Sequence, residues 1–236
     1  MDDYINHSVR RLSLLAKINN AKRYLEIGVR NGITFLNVPV KKKVAVDPLY
    51  RFDYESIISD DVKCHVMTSD RYFTCVDEGK EKYDLIYLDG LHTFQQTLRD
   101  FCCSISVASE KAIWLIDDTL PRDAYSAWPN QSESIKYRRK SGLQGNIWHG
   151  DVFKTVVAIN DLFPLFCFIT IEGNGNPQTI VWRGKRDAFS PLYDNMENIS
   201  RMSYFDLQNN ISVMNIATES KAIQSVNDTF DTSSAM

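Results

Sequence analysis

Five acidic residues each stand at the end of a short apolar run: Glu26 in Tyr24–Gly28, Asp47 after Val44–Val46, Asp89 after Tyr83–Leu88, and Asp117 and Asp118 after Ala112–Ile116. Gly28 lets the backbone turn sharply and lets a ligand come close. The spacing to Asp47 suits an acid that holds the two hydroxyls of a ribose. Position 30 is Arg, where a dinucleotide fingerprint has its middle glycine. With acidic Glu26 beside it, the turn disfavours a diphosphate and favours a cationic or polar group. Asp89, Asp117 and Asp118 would repel one another without a cation among them, and an oxygen-only set suits Mg²⁺ or a similar hard ion. The weaker reading of the same acids is as helix or turn caps.

These residues need a sheet to bring them together. The runs at 23–28, 44–46, 83–88 and 112–116 are apolar on both faces, as strands of a parallel sheet covered by helices are. Helical spacing appears at 4–19 (Ile5, Val9, Leu12, Leu15, Ile18), 33–37, 93–107 and 153–162. The alternation predicts an α/β, Rossmann-like, doubly wound sheet. Residues 166–172 and 178–183 read as an antiparallel C-terminal hairpin across the turn 173–177. Ligands of such sheets bind beyond the carboxyl ends of the strands, which directs all five acids to one crevice. The division expected is a domain over 1–186, with 121–150 as a lid or substrate loop, and an extension over 187–236 whose residues 221–236 read as a weakly structured tail.

The ordered set EIGVRNG (26–32) and VAVDP (44–48) resembles motifs I and II of class I methyltransferases. MTSDRYF (67–73) is similar to their adenine-contacting segment. YDLIYLDGLHTFQQTLRDF (83–101), IWLIDDTLP (113–121), WHGDVFK (148–154) and NPQTIVWRG (176–184) resemble the LDGLH-type members of glycan and natural-product pathways. The resemblance implies S-adenosylmethionine as cofactor, held by Glu26, Gly28, Gly32, Asp47, Ser69 and Asp70. It also implies a divalent cation on Asp89, Asp117 and Asp118, and O-methylation of a hydroxyl on a sugar, other small polyol or glycan. The cation would lower the hydroxyl pKa, and Asp89 or His92 would take the proton. A metal-free enzyme with Asp89 or His92 as base is the alternative. A non-catalytic nucleoside-binding scaffold and an NAD-dependent oxidoreductase are the rivals, the latter opposed by Arg30.

Composition removes other classes. The 236 residues are 44% hydrophobic and 24% charged with net charge -3, so no basic field argues for nucleic acid. No run of eighteen apolar residues predicts a membrane span, and the N-terminus does not read as a signal peptide. Cys64, Cys75, Cys102, Cys103 and Cys167 form no CxxC pair, and reduced thiols of a cytoplasmic protein are expected. A homodimer is compatible with this size. Lys136–Lys140 reads as a solvated helix face, with contact to an anionic acceptor as the sharper option. Trp114 is expected in the core.

Overall fold

A computed structural model of the chain describes residues 6–75, 82–173 and 175–233. Eight strands form one sheet: β1 (Arg23–Ile27), β2 (Lys42–Asp47), β3 (Val62–Val66), β4 (Tyr83–Leu88), β5 (Ala108–Ile116), β6 (Phe166–Ile171), β7 (Gln178–Arg183) and β8 (Ile216–Ala217). Their order is β3-β2-β1-β4-β5-β7-β6-β8. Strands β1 to β5 are parallel, and β7 runs antiparallel to both β5 and β6. The expected hairpin is therefore present, one place in from the edge, with two-residue β8 beyond it.

Nine helices occur among the described residues: α1 (His7–Ile18), α2 (Ile33–Asn37), α3 (Ser69–Cys75), α4 (Phe94–Val107), α5 (Gln131–Lys140), α6 (Phe153–Leu162), α7 (Met196–Arg201), α8 (Tyr204–Asn209) and α9 (Glu219–Ser233). They cover both faces of the sheet, which is why the central strands are apolar throughout. One core layer joins Phe101 of α4, Trp114 of β5 and Val156 of α6; the other joins Leu12 and Leu15 of α1 with Leu85 and Ile113. Trp114 is fully buried and its indole donates to Ser104 Oγ at 2.9 Å. Ile5, placed by its spacing on the first helix, lies outside the described residues.

The segment expected to be a weakly structured tail is instead helical through Ser233. Its Ser, Thr, Asn and Asp residues give little intrinsic helix propensity, and tertiary contacts supply the rest. Ala222 and Val226 are completely buried. Glu219 pairs with Arg10 and with Arg11, whose side chain is wholly buried, at 2.7 and 2.8 Å. All five cysteines are free. Among the described residues no helix is long and apolar enough to cross a membrane.

Candidate active site

Strand register builds the site. Gly28 N donates to Val46 O, Asp89 N to Ile27 O and Asp117 N to Leu88 O. These bonds extend the parallel ladder by one residue past β1, β4 and β5. They set Gly28, Asp89 and Asp117 in one row at the carboxyl edge, where the chain reverses direction across the sheet. A crevice of about 800 Å³ opens there. Glu26, Gly28, Asp47, Ser69, Asp70, Asp89, His92 and Asp117 all line it; of the other two candidates, Gly32 and Asp118, neither does.

The glycine turn is tightly specified. Gly28 has φ 86°, and a Cβ on it would overlap the Asp89 carbonyl. Gly32, at φ 75°, begins α2. Asp47 holds the turn from beneath: one carboxylate oxygen accepts from Val29 N and Arg30 N, each at 2.8 Å, and the other from Leu49 N at 2.7 Å. Arg30 sits at φ 45°, a sparsely populated conformation for a residue with a side chain. Its amide is fixed by Asp47 and its carbonyl by Arg51 N at 2.7 Å. Glu26 is 1% exposed and accepts from Tyr24 Oη at 2.6 Å. Burial raises its carboxyl well above the usual range, and the tyrosine bond only partly opposes this.

Ser69 and Asp70 begin α3 at the crevice rim. Gln96 of α4 joins Ser69 Oγ, Asp70 and Asp100 at 3.2, 3.0 and 3.0 Å, and Arg99 pairs with Asp70 at 3.0 Å. Asp100 is 2% exposed, and burial pushes its carboxyl up to about 6 despite bonds from Ser69 and Gln96. A carboxyl raised by folding stabilises the fold below its unfolded value and loses that contribution as pH rises through the folded one. Asp100→Asn is therefore expected to gain on the order of 1–3 kcal/mol at pH 7.5 and almost nothing at pH 4, as read by urea unfolding at the two pH values.

His92 stands between two carboxylates. Its Nε2 is 3.3 Å from Asp89 Oδ1 and its Nδ1 2.6 Å from Asp118 Oδ2. Burial lowers its pKa, but Asp118 and Asp89 outweigh that and raise it well above 6.5. Burial, with the neighbouring carboxylates, raises Asp117 well above the usual range; Asp89 is raised chiefly by burial, against the opposing pull of His92. The indole of Trp148 stacks on the imidazole with centroids 5.2 Å apart and planes 8° apart. Behind Asp118 lies His149, 3% exposed, with Nε2 4.0 Å from Asp118 Oδ1; burial lowers its pKa. Gly150, at φ 67°, lies where any Cβ would overlap the His92 carbonyl, so the Trp148-His149-Gly150 segment closes directly over the Asp89–His92 turn. The cap reading of Asp89 does not hold: Thr93 caps α4 through Gln96 N, and Asp151 accepts from Phe94 N at 2.8 Å.

The expected cation set is not assembled. Among the described residues no group of three or more His, Cys, Asp or Glu side chains is arranged to hold a metal ion. Asp118, at φ 56°, turns its carboxylate to His92. Asp117 accepts from Gln178 Nε2 at 2.7 Å and from Asn176 Nδ2 at 3.4 Å. Gln178 also receives Arg11 Nη1 at 2.8 Å, so a buried polar chain runs from Glu219 through Arg11 and Gln178 to Asp117. Sequence reading missed Arg11, Gln178, Asn176 and Gln96, since isolated polar residues within apolar strands or helices carry no motif. In the basic run, Arg138 is buried and bound to Asp123 by two contacts of 2.7 and 2.6 Å, while Lys136, Arg139 and Lys140 are exposed.

Strand order and crevice define a Rossmann-like methyltransferase fold. Residues 25–119, from β1 through the Asp117-Asp118 pair, match the model of a family described as a methyltransferase domain. The O-methyltransferase from Bacillus cereus, in complex with SAH, is similar in structure at TM-score 0.53 and 14% identity, over 77% of this chain and 82% of that one. The O-methyltransferase TomG from Streptomyces achromogenes, involved in tomaymycin synthesis and bound to SAM, is similar at TM-score 0.52 and 15% identity, over 75% and 79%. Cofactor-bound Rv0187 from MTB gives TM-score 0.53 and 14% identity, over 79% and 84%. At these identities the likeness is one of fold. No curated protein sequence matches significantly.

Proposed function

We propose that the protein is an S-adenosylmethionine-dependent O-methyltransferase acting on a hydroxyl of a sugar or small polyol, free or within a glycan. The observation that carries this reading is His92, held between Asp89 and Asp118 at the mouth of the crevice that the glycine turn and Asp47 define. The crevice fits the cofactor. Gly28 lets the Asp89 backbone close against the turn, and Asp47 Oδ1, which accepts from Leu49 N, keeps one lone pair for a ribose hydroxyl. Glu26 lines the crevice, and the ammonium of the methionyl end would favour the ionised form that burial opposes. When bound, the cofactor supplies an electrophilic methyl group on sulfur.

His92 Nε2 and Asp89 Oδ1 face the crevice and receive the acceptor hydroxyl between them. His92 takes its proton, and Asp118 on Nδ1 orients the ring and stabilises the imidazolium. Trp148 and Gln131 border the same space and give the acceptor an aromatic wall and an amide. Neighbours that are O-methyltransferases with bound SAM or SAH support the oxygen target; the sugar or polyol class rests on the LDGLH-type resemblance.

A divalent cation on Asp89, Asp117 and Asp118 is the second reading, favoured by three carboxylates at adjoining strand ends. As arranged, the residues do not fit it, because His92 occupies Asp118 and Gln178 occupies Asp117. The test is release of S-adenosylhomocysteine from S-adenosylmethionine with a panel of monosaccharides and polyols, before and after EDTA. Turnover that survives EDTA supports the His92 reading. Turnover abolished by EDTA and restored by Mg²⁺ overturns it in favour of the cation.

A further inference from the structure

A buried polar cluster lies behind the crevice, on the face of the sheet that α1 covers. Leu85, Ile113, Leu115 and Ile180 share one core layer there with Leu12 and Leu15 of α1. Side chains alternate along a strand, so residues two apart point the same way. Tyr87 and Asp89, Asp117, and Gln178 continue those three rows by steps of two toward the carboxyl edge.

Gln178 is completely buried, and a buried amide is costly unless its groups are bonded. Its Oε1 accepts from Arg11 Nη1 at 2.8 Å. Its Nε2 donates to Asp117 Oδ1 at 2.7 Å and to Ser8 Oγ at 2.8 Å. A guanidinium has donors only. Arg11 therefore fixes the carbonyl end of the amide, and both N–H groups are left to face Asp117 and Ser8. Arg11 is itself locked by Glu219 and by the carbonyls of residues 173 and 176. Tyr87, 1% exposed, carries the cluster to the second acid. Its hydroxyl lies 3.1 Å from Ser8 Oγ, 3.3 Å from Gln178 Nε2 and 3.3 Å from Asp89 Oδ2. Asp117 is thus held by Oδ1 and Asp89 by Oδ2. Their other oxygens are left for Asn176 and His92, which both line the crevice.

We infer that Gln178 is a positioning residue for methyl transfer: with its amide oriented by Arg11, it sets Asp117 directly and Asp89 through Tyr87. The inference rests on proton transfer at His92, since Asp89 Oδ1 and His92 Nε2 are the pair that receives the acceptor hydroxyl. Without the amide donors the two carboxylates are free to turn, and a small misplacement of such a pair is costly in rate.

The test uses two variants of the full chain. Gln178→Glu is isosteric and keeps an acceptor for Arg11, but presents an oxygen to Asp117. Tyr87→Phe keeps the ring and its packing and removes only the hydroxyl. Each is assayed with S-adenosylmethionine and the fastest acceptor of the monosaccharide and polyol panel, with calorimetry of S-adenosylhomocysteine and circular dichroism alongside. The expected result is a kcat lower by at least about tenfold in Gln178→Glu and about fivefold in Tyr87→Phe, with S-adenosylhomocysteine affinity held within about threefold in both. Residues that act as a unit are non-additive, so in the His92→Asn background Gln178→Glu should lower kcat little further, whereas a merely structural role would add its full loss. Wild-type kcat in folded Gln178→Glu, or losses that add in the double variant, overturns the inference and leaves the His92 reading standing. Wild-type kcat in His92→Asn removes that reading instead, and the inference with it. Should Gln178→Glu fail to fold, Tyr87→Phe decides alone, and an unchanged kcat there overturns the inference.

Discussion

His92→Asn is expected to lower kcat by about 10²- to 10⁴-fold, the range by which a positioned general base contributes, while S-adenosylhomocysteine still binds within a few-fold of wild type. The separation follows from geometry. The imidazole touches Asp89, Asp118 and the Trp148 ring, whereas the Asp47 carboxylate bonds only the backbone amides of residues 29, 30 and 49. Because the two carboxylates hold the imidazole pKa well above 6.5, His92 is a strong base that is free of its own proton only at higher pH. Wild-type kcat should therefore climb with pH above 6.5, and Asp118→Asn, by removing one cause of that rise, should move the climb to lower pH. Single-turnover methyl transfer with a responsive polyol measures all three. A His92→Asn enzyme with unchanged kcat would remove His92 from the chemistry.

The second large effect belongs to Asp47. Asp47→Ala removes the acceptor of three backbone N–H groups at 2.7–2.8 Å, and Arg30 is held at positive φ partly by one of those bonds. Charge-assisted bonds of this kind contribute about 1.5–3 kcal/mol each. Their loss should let the 28–32 turn relax and weaken S-adenosylhomocysteine by at least about 100-fold, or about 2.7 kcal/mol. Asp47→Asn keeps one oxygen but turns an amide toward N–H donors, and should recover only part of the affinity. Calorimetry of the two variants, with circular dichroism to confirm folding, distinguishes a lost turn from a lost protein.

The sheet was legible where strands are buried on both faces. Runs such as Tyr83–Leu88 and Ala112–Ile116 fall on β4 and β5 because apolarity on both strand faces is what helices on both sides of the sheet require. Strand β3 was not seen: Val62–Val66 carries Lys63 and His65, lies at the edge, and is only partly buried. Helix α9 escaped for another reason. Its polar residues do not specify a helix locally, and the docking of Ala222, Val226 and Glu219 onto the body of the protein lies far off in sequence. The crevice was legible at Glu26, Gly28, Asp47 and Asp89, since each follows an apolar run and register does the rest. What sequence could not give was which carboxylate faces which partner. Asp117 and Asp118 are adjacent, yet one turns to Gln178 and the other, through its positive φ, to His92.

The most direct test of the central claim is calorimetric titration of the purified protein with S-adenosylhomocysteine. One-site, micromolar binding that is lost in Asp47→Ala is the predicted result. Absence of that binding, with NAD or another nucleotide taking the crevice instead, would contradict it.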